Sequence, residues 1–371
     1  MKKLRTPKKI SQGERAEDSK PPRGRGKGGR DRRPTMTDVA EAAGVSQTTV
    51  SLVLNGAGSA RLAGETRERV LKAAQALDYR LIKRGLLPKT PGGGAAIGFV
   101  ANEMSTDPWT AIALDGAREK AWEHGLTILS AVTGGDAERE QAILAHMASQ
   151  PLLGLIYGTM YTRRIERPQI RNVPTVLLNC YLADGSLPSI VPGEIAGGHT
   201  ATRRLLRAGH RRIGHIMGEA RMDASHDRLK GYRNALANAD LPFDPDLVRP
   251  GNWEPSSGYE QTQVLMRLAE PPTAIFCAND LMAIGCMDAL KEMGKRIPDD
   301  VAVIGYDNRD LAPFTRPALT TVLLPHYEMG EQAVDYLVHY ARRPPLRAPQ
   351  LKVECPLIER RSVGPAASVP C

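Results

Sequence analysis

The chain has 371 residues, 42% of them apolar and 25% charged, with a net charge of +9. That length accommodates two or three domains with sizeable cores, and the composition is that of an ordinary globular protein. No run of about 18 apolar residues marks a membrane span, and the basic N-terminus lacks the apolar stretch of a secretory signal. Five widely spaced cysteines without a C-x-x-C pair argue against a disulfide framework or zinc knuckle and fit a reducing cytoplasm.

The charge is concentrated. Residues 1–33 carry thirteen Lys/Arg and four acids, so this Pro/Gly-rich arm holds the whole excess and the rest of the chain is formally neutral. Such an arm is expected to be disordered when free. It suits lying along phosphates and releasing counterions, although a solvated tail has the same composition.

A helical block is expected over 34–80. Thr37, or the residue before it, can cap a first helix that puts Val39, Ala40 and Ala43 on one face, and Gly44 can end it with a positive φ. Val45 then plugs the corner, and Ser46 caps a second helix with Val50, Val53 and Leu54 inward and Gln47, Thr48 and Ser51 outward. Small polar side chains at the exposed start of that helix suit hydrogen bonding in a major groove. A third helix over about 64–77 offers Val70, Leu71, Ala74 and Leu77 to complete the core. Residues 81–95 contain Pro88, Pro91 and three consecutive glycines at 92–94, and read as a hinge and flexible joint.

From residue 96 the pattern changes. Short apolar runs at 97–100, 126–129, 153–156, 175–178, 212–216, 273–276 and 301–304 alternate with amphipathic segments at 109–124, 194–208, 226–239, 257–269 and 280–293. Alternation of this kind predicts parallel sheets covered on both faces. A body of about 265 residues is long for one open sheet, so two doubly wound α/β subdomains are expected, with ligand bound in the cleft beyond the strands' carboxyl ends.

Two stretches carry a family resemblance. Residues 34–55 contain T-x-x-D-V-A-x-x-A-G-V-S-x-x-T-V-S-x-x-L-N, and residues 65–79 read E-T-R-E-R-V-L-x-A-A-x-x-L-x-Y. With the pieces AGHRRI at 208–213, RLKGY at 228–232, FCANDLMA at 276–283, VIGYD at 303–307 and PALTT at 317–321, they resemble the lactose-repressor/galactose-repressor family of bacterial regulators over about 34–363. The resemblance implies an all-α helix-turn-helix head on a periplasmic-binding-protein-like body. It implies a cytoplasmic, nucleoid-associated homodimeric transcriptional regulator, a repressor whose two heads read a palindromic double-stranded operator. A hinge helix is implied to wedge a leucine into the minor groove, and a small molecule between the lobes to tune DNA affinity. The DNA-contacting set so implied is Thr37, Ser46, Gln47, Thr48, Thr49, Ser51, Leu52, Asn55, Tyr79, Arg84 and Leu86, with Leu87 the alternative wedge. Leu52 stands where many relatives carry a base-reading Arg or His, the hinge at 79–88 is shorter than usual, and the loop at 55–62 is longer.

Position by position, the resemblance places Trp109, Asn179, Arg228, Trp253, Asn279 and Asp307 against the effector. Arg donates a fork, Asp accepts paired hydroxyls, Asn does both, and an indole faces sugar C–H groups. A sugar or sugar derivative is therefore the expected effector, with a purine or other polar metabolite the alternative. Neither a cofactor nor a metal is expected. No phosphate-binding loop, nucleophile elbow, strand-then-G-x-G-x-x-G or H-E-x-x-H occurs, so catalysis is not expected. A solute-binding protein would share the body but not the head. The expected layout is arm 1–33, head 34–80, hinge 81–95, core 96–363 and tail 364–371. Within the core, one lobe is expected from about 96–190 plus 316–325 and the other from about 191–315 plus 326–363. The tail from 344 to 371 has no leucine heptads, so a dimer is expected and not a coiled-coil tetramer.

Deleting residues 1–33 is expected to weaken DNA binding and to flatten its salt dependence by about 0.9 for each phosphate that the arm had neutralised, while base preference is retained. Binding titrations across a salt series check this; loss of base preference would give the arm a reading role.

Overall fold

The computed structural model describes residues 36–45, 49–50, 53, 64–77, 96–105, 107–170, 172–340 and 348–366, in two units divided between residues 84 and 85. In the first unit, α1 (Met36–Ala43) buries Val39, Ala40 and Ala43. It stops at Gly44, whose φ of +67° lets the Val45 N–H donate back to the Ala40 carbonyl at 3.0 Å. Residues 49, 50 and 53 are helical, and Val50 and Val53 pack against Val70 and Ala74 of α2 (Gly64–Ala76). Leu71 departs from expectation: it is 47% exposed. One residue turns the helix by about 100°, so Leu71 leaves the stripe that Val70, Ala74 and the half-buried Leu77 define. Ser46, Gln47, Thr48, Ser51, Leu52, Leu54, Asn55, Tyr79, Arg84, Leu86 and Leu87 lie outside the described residues, as do the arm and the hinge.

The second unit contains two parallel sheets. The first is formed by β1 (Ala96–Ala101), β2 (Thr127–Val132), β3 (Leu152–Ile165), β4 (Thr175–Leu182), β5 (Ser189–Pro192) and, far along the chain, β11 (Gln350–Val353). Its order is β2-β1-β3-β4-β5-β11 and every pair is parallel. Alternate residues serve opposite faces. Ile97, Phe99, Ile156 and Leu178 meet α3 (Trp109–Glu123) and α9 (His326–Tyr340), while Val100, Leu155 and Leu177 meet α4 (Ala137–Ala148).

The second sheet comprises β6 (Ile213–Ile216), β7 (Val248–Arg249), β8 (Ala274–Cys277) and β9 (Ala302–Ile304), in the parallel order β7-β6-β8-β9. Helices α5 (Glu194–Arg207) and α6 (Asp223–Ala237) contribute to the core on one face; α8 (Asp280–Glu292) and the end of α7 (Pro255–Met266) contribute to the other. Gly209 and Gly294, at φ +95° and +70°, follow the ends of α5 and α8.

The lobe membership of the C-terminal third reverses the expectation. Residues 318–323 lie beside β9, with the Gly305 N–H donating to Thr320 O and the Asp307 N–H to Val322 O, so they belong to the second lobe and not the first. Conversely α9 and β11, expected in the second lobe, complete the first. Met329, Ala333 and Leu337 supply its core, and β5 offers β11 a parallel edge. The chain then returns, with β12 (Leu357–Ile358) antiparallel to β10 (Thr321–Val322).

Helices α3 and α9 cross at two glycines. A Cβ on Gly116 would sit 2.0 Å from the Tyr327 carbonyl oxygen, and one on Gly330 would sit 2.0 Å from that of Ala113. Gly330→Ala is therefore expected to destabilise the body by about 1–3 kcal/mol, measured by chemical denaturation with a near-ultraviolet dichroism probe. An unchanged midpoint would show that the two backbones separate at no cost.

Candidate ligand cleft

Beyond the carboxyl ends of the strands, residues of both lobes line a cavity of about 60 Å³. Trp109 and Asn179 reach it from the first lobe, and Arg228, Trp253, Asn279 and Asp307 from the second, so all six residues predicted from sequence line one space.

Close glycine packing brings the charged centre together. A Cβ on Gly198 would lie 2.4 Å from Arg228 O, and one on Gly231 2.3 Å from Ile195 O. Only bare backbone lets α5 and α6 approach this closely. The approach sets Glu194, at the start of α5, against Arg228 of α6. Arg228 Nε and Nη2 donate to the Glu194 carboxylate at 2.8 and 2.9 Å. Its Nη1 donates to the Ala278 carbonyl and lies 3.5 Å from Asp307 Oδ1. One face of the guanidinium covers the Tyr306 ring at 3.7 Å, and the Trp253 ring lies 5.5 Å away. The fork expected to face a ligand is thus taken up by a carboxylate of the protein itself.

Three of the six predicted residues hold left-handed backbone: Asn179 at φ +58°, Trp253 at +70° and Asp307 at +110°. Non-glycine residues in such conformations cost of order 1–3 kcal/mol each where the region is sparsely populated, and cluster at functional sites. Local bonds hold them. The Asp307 N–H donates to Val322 O at 2.7 Å. The Trp253 carbonyl accepts from Asn279 Nδ2 at 2.8 Å, and its indole Nε1 donates to Met222 Sδ at 3.0 Å. Asn279 also caps α8 by accepting the Met282 N–H at 2.8 Å. Asn179 donates to Met160 O at 2.7 Å and accepts from the Thr162 hydroxyl at 2.5 Å. Both asparagines therefore shape the walls with groups that the sequence pattern assigns to a ligand. Asp307 is held more loosely, its carboxyl oxygens 3.5 Å from Arg228 Nη1 and 3.6 Å from Arg309 Nε. Burial pushes its carboxyl well above the usual carboxylate range, against the pull of Arg228.

Residues absent from the sequence prediction complete the cleft. Arg309 Nη2 crosses from the second lobe to donate to Asp107 Oδ1 of the first at 2.6 Å, and its guanidinium lies 5.0 Å from the Trp109 ring. Its Nε lies 3.6 Å from Asp307 Oδ2. The other oxygen of Asp107 accepts from the Tyr161 hydroxyl at 2.6 Å. A second cross-lobe bond joins the Tyr181 hydroxyl to Asp223 at 2.7 Å. His326 tilts against Trp109 with ring centroids 5.3 Å apart, and burial lowers its pKa to about 3, leaving it neutral. Arg309 lies two residues beyond the recognised Asp307 and Asp107 two before Trp109, a proximity that could have flagged both.

A helical head joined to a two-lobed parallel α/β body, with strained polar residues converging on the inter-lobe cleft, defines a ligand-responsive DNA-binding regulator. Comparison with known proteins agrees. Residues 35–80 match the family described as bacterial regulatory proteins, lacI family, and residues 202–363 match a periplasmic binding protein-like domain. The ribose operon repressor of Haemophilus influenzae is 30% identical, covering 89% of this chain and 98% of its own. The transcriptional repressor PurR of Erwinia tasmaniensis is 34% identical, covering 89% and 97%. A solved complex of the regulator CelR with cellobiose aligns with a TM-score of 0.60 at 29% identity, over 89% of this chain and 100% of that one. The chain belongs to the lacI family of bacterial regulatory proteins.

Asp280 supports the strand end that carries this site. Its carboxylate accepts the Arg309 N–H at 2.8 Å and the Thr321 hydroxyl at 2.5 Å, yet burial raises its pKa to about 7. A folded-state pKa above the unfolded value of about 4 contributes stability that is fully present below pH 4 and lost as pH rises through 7. The melting temperature of Asp280→Asn is expected to depend less on pH across that interval than that of the parent; parallel curves would assign the dependence elsewhere.

Proposed function

We propose that this protein represses transcription as a homodimer, its paired heads binding the half-sites of a double-stranded operator, and that a sugar or sugar derivative in the cleft tunes that affinity. One small head reads only a few base pairs, which favours two copies spaced by a helical turn. The reading places the protein in the bacterial cytoplasm at the nucleoid and includes no catalytic step.

The observation that carries the effector assignment is the convergence of two indoles and the Asp307 carboxyl on one inter-lobe cavity. Flat apolar faces beside an acceptor suit a ring with C–H faces and hydroxyl edges. The cross-lobe bonds from Asp107 and Tyr181 need the lobes to be together, so a ligand favouring the closed state shifts the lobe equilibrium by its differential affinity. Similarity to PurR favours a nucleobase as the second reading, since an indole also stacks on a purine.

Selection from random duplexes supplies the operator, and fluorescence anisotropy then measures its affinity with and without sugars or purines. An effector is expected to change that affinity by about 5–150-fold. Asp307→Ala is expected to abolish the change while leaving operator affinity in place. A variant that still responds would remove Asp307 from the site, and selection that enriched no sequence would sink the proposal.

A further inference from the structure

The charges around the cavity do not offer what an anionic ligand needs. Among the described residues, two cations line it, Arg228 and Arg309, against three carboxylates, Asp107, Glu194 and Asp307. Glu194 occupies two of the Arg228 nitrogens in fork geometry and the Ala278 carbonyl takes the third, while Tyr306 covers one face of the plane. Arg309 is engaged by Asp107 and faces Asp307. His326 adds no charge, because burial keeps the ring neutral.

A neighbouring pocket has the same sign among the described residues. Of about 620 Å³, it shares Glu194 and Thr162 with the cavity and is lined by Asp184, Asp223 and Asp227 against Lys352 and His226. A phosphate or carboxylate entering the cavity would find the Arg228 fork already filled by Glu194, and the remaining Arg309 nitrogens reachable only beside Asp307.

We infer that Glu194 is a specificity-determining residue: by neutralising Arg228 it restricts the cleft to effectors without negative charge, namely uncharged polyols or amino-bearing ones. This rests on the reading of the cleft as the effector site. Glu194 acts through Arg228 and is a positioning residue. A hydroxyl pairs with Asp307 in either protonation state and an ammonium with its ionised form; it is the one lining carboxyl not held in a short hydrogen bond to an arginine.

The test uses the full chain and two readouts. In the first, the melting temperature of the parent is followed with matched probes: ribose against ribose 5-phosphate, and glucose and glucosamine against glucose 6-phosphate and gluconate. Neutral or amino members are expected to stabilise it and their anionic counterparts not. Stabilisation by an anionic member equal to or greater than its neutral partner would overturn the inference. No shift from any member would instead count against the cleft as a sugar site, and the inference would fall with that reading. In the second, inorganic phosphate is titrated against tryptophan fluorescence. Glu194→Gln frees the fork and is expected to bind phosphate about tenfold or more tightly than the parent, whereas Glu194→Asp, which keeps the charge, retains the exclusion. Glu194→Gln that folds and binds phosphate no better than the parent would overturn the assignment. Should that variant not fold, the probes on the parent still decide.

Discussion

Burying a guanidinium is costly unless another charge and good geometry come with it, and removing one partner of such a pair costs about 3–5 kcal/mol. The ion pair between Arg228 and Glu194 satisfies that condition, with both side chains less than 5% exposed. Much else follows from it. Two helices must touch through Gly198 and Gly231 for the charges to meet, and Tyr306 must lie flat beneath the cation. Asp307 then sits at the remaining edge of the guanidinium, held there by backbone bonds to the neighbouring segment at 322–324. The polar floor of the cleft is therefore a consequence of how the second lobe packs.

The walls are set by local hydrogen bonding. Trp253 and Asn179 adopt conformations that a chain avoids when free, and bonds from Asn279, Thr162 and their neighbours hold them. Their orientation is fixed before any ligand arrives, so less ordering entropy is lost on binding. Closure depends on fewer groups. Asp107 with Arg309 and Tyr181 with Asp223 join the lobes through partly exposed side chains, which hold one arrangement without making it irreversible.

Much of this was legible in the sequence, for physical reasons that differ by element. Gly44, Gly209 and Gly294 marked helix ends because each supplies the positive φ that an end requires. The alternating apolar runs located the inner strands of both sheets. Arg228 and Asp307 were found through family motifs, and the structure brings them together. Glu194 was not found, since an acid in the first turn of a helix is already accounted for by the helix dipole. Arg309 and Asp107 were missed because a bond between residues 202 positions apart leaves no local pattern, and only their nearness to Asp307 and Trp109 pointed to them. The lobe assignment of 316–363 failed for a related reason. An amphipathic helix announces that it has an apolar face but not which sheet will cover it, and β11 is a strand only because β5 offers it an edge.

Trp109 and His326 are the first residues of α3 and α9, and the crossing of Gly116 with Gly330 leaves those two helices no room to slide. Coupled at that crossing, both helices begin with one member of an aromatic pair in the cleft wall. Gly116 lies about 10 Å of helix from Trp109 and about 9 Å from Trp122, so a small tilt imposed at the indole arrives nearly undiminished and in the opposite sense at Trp122, a ring left 75% exposed near the far end of α3.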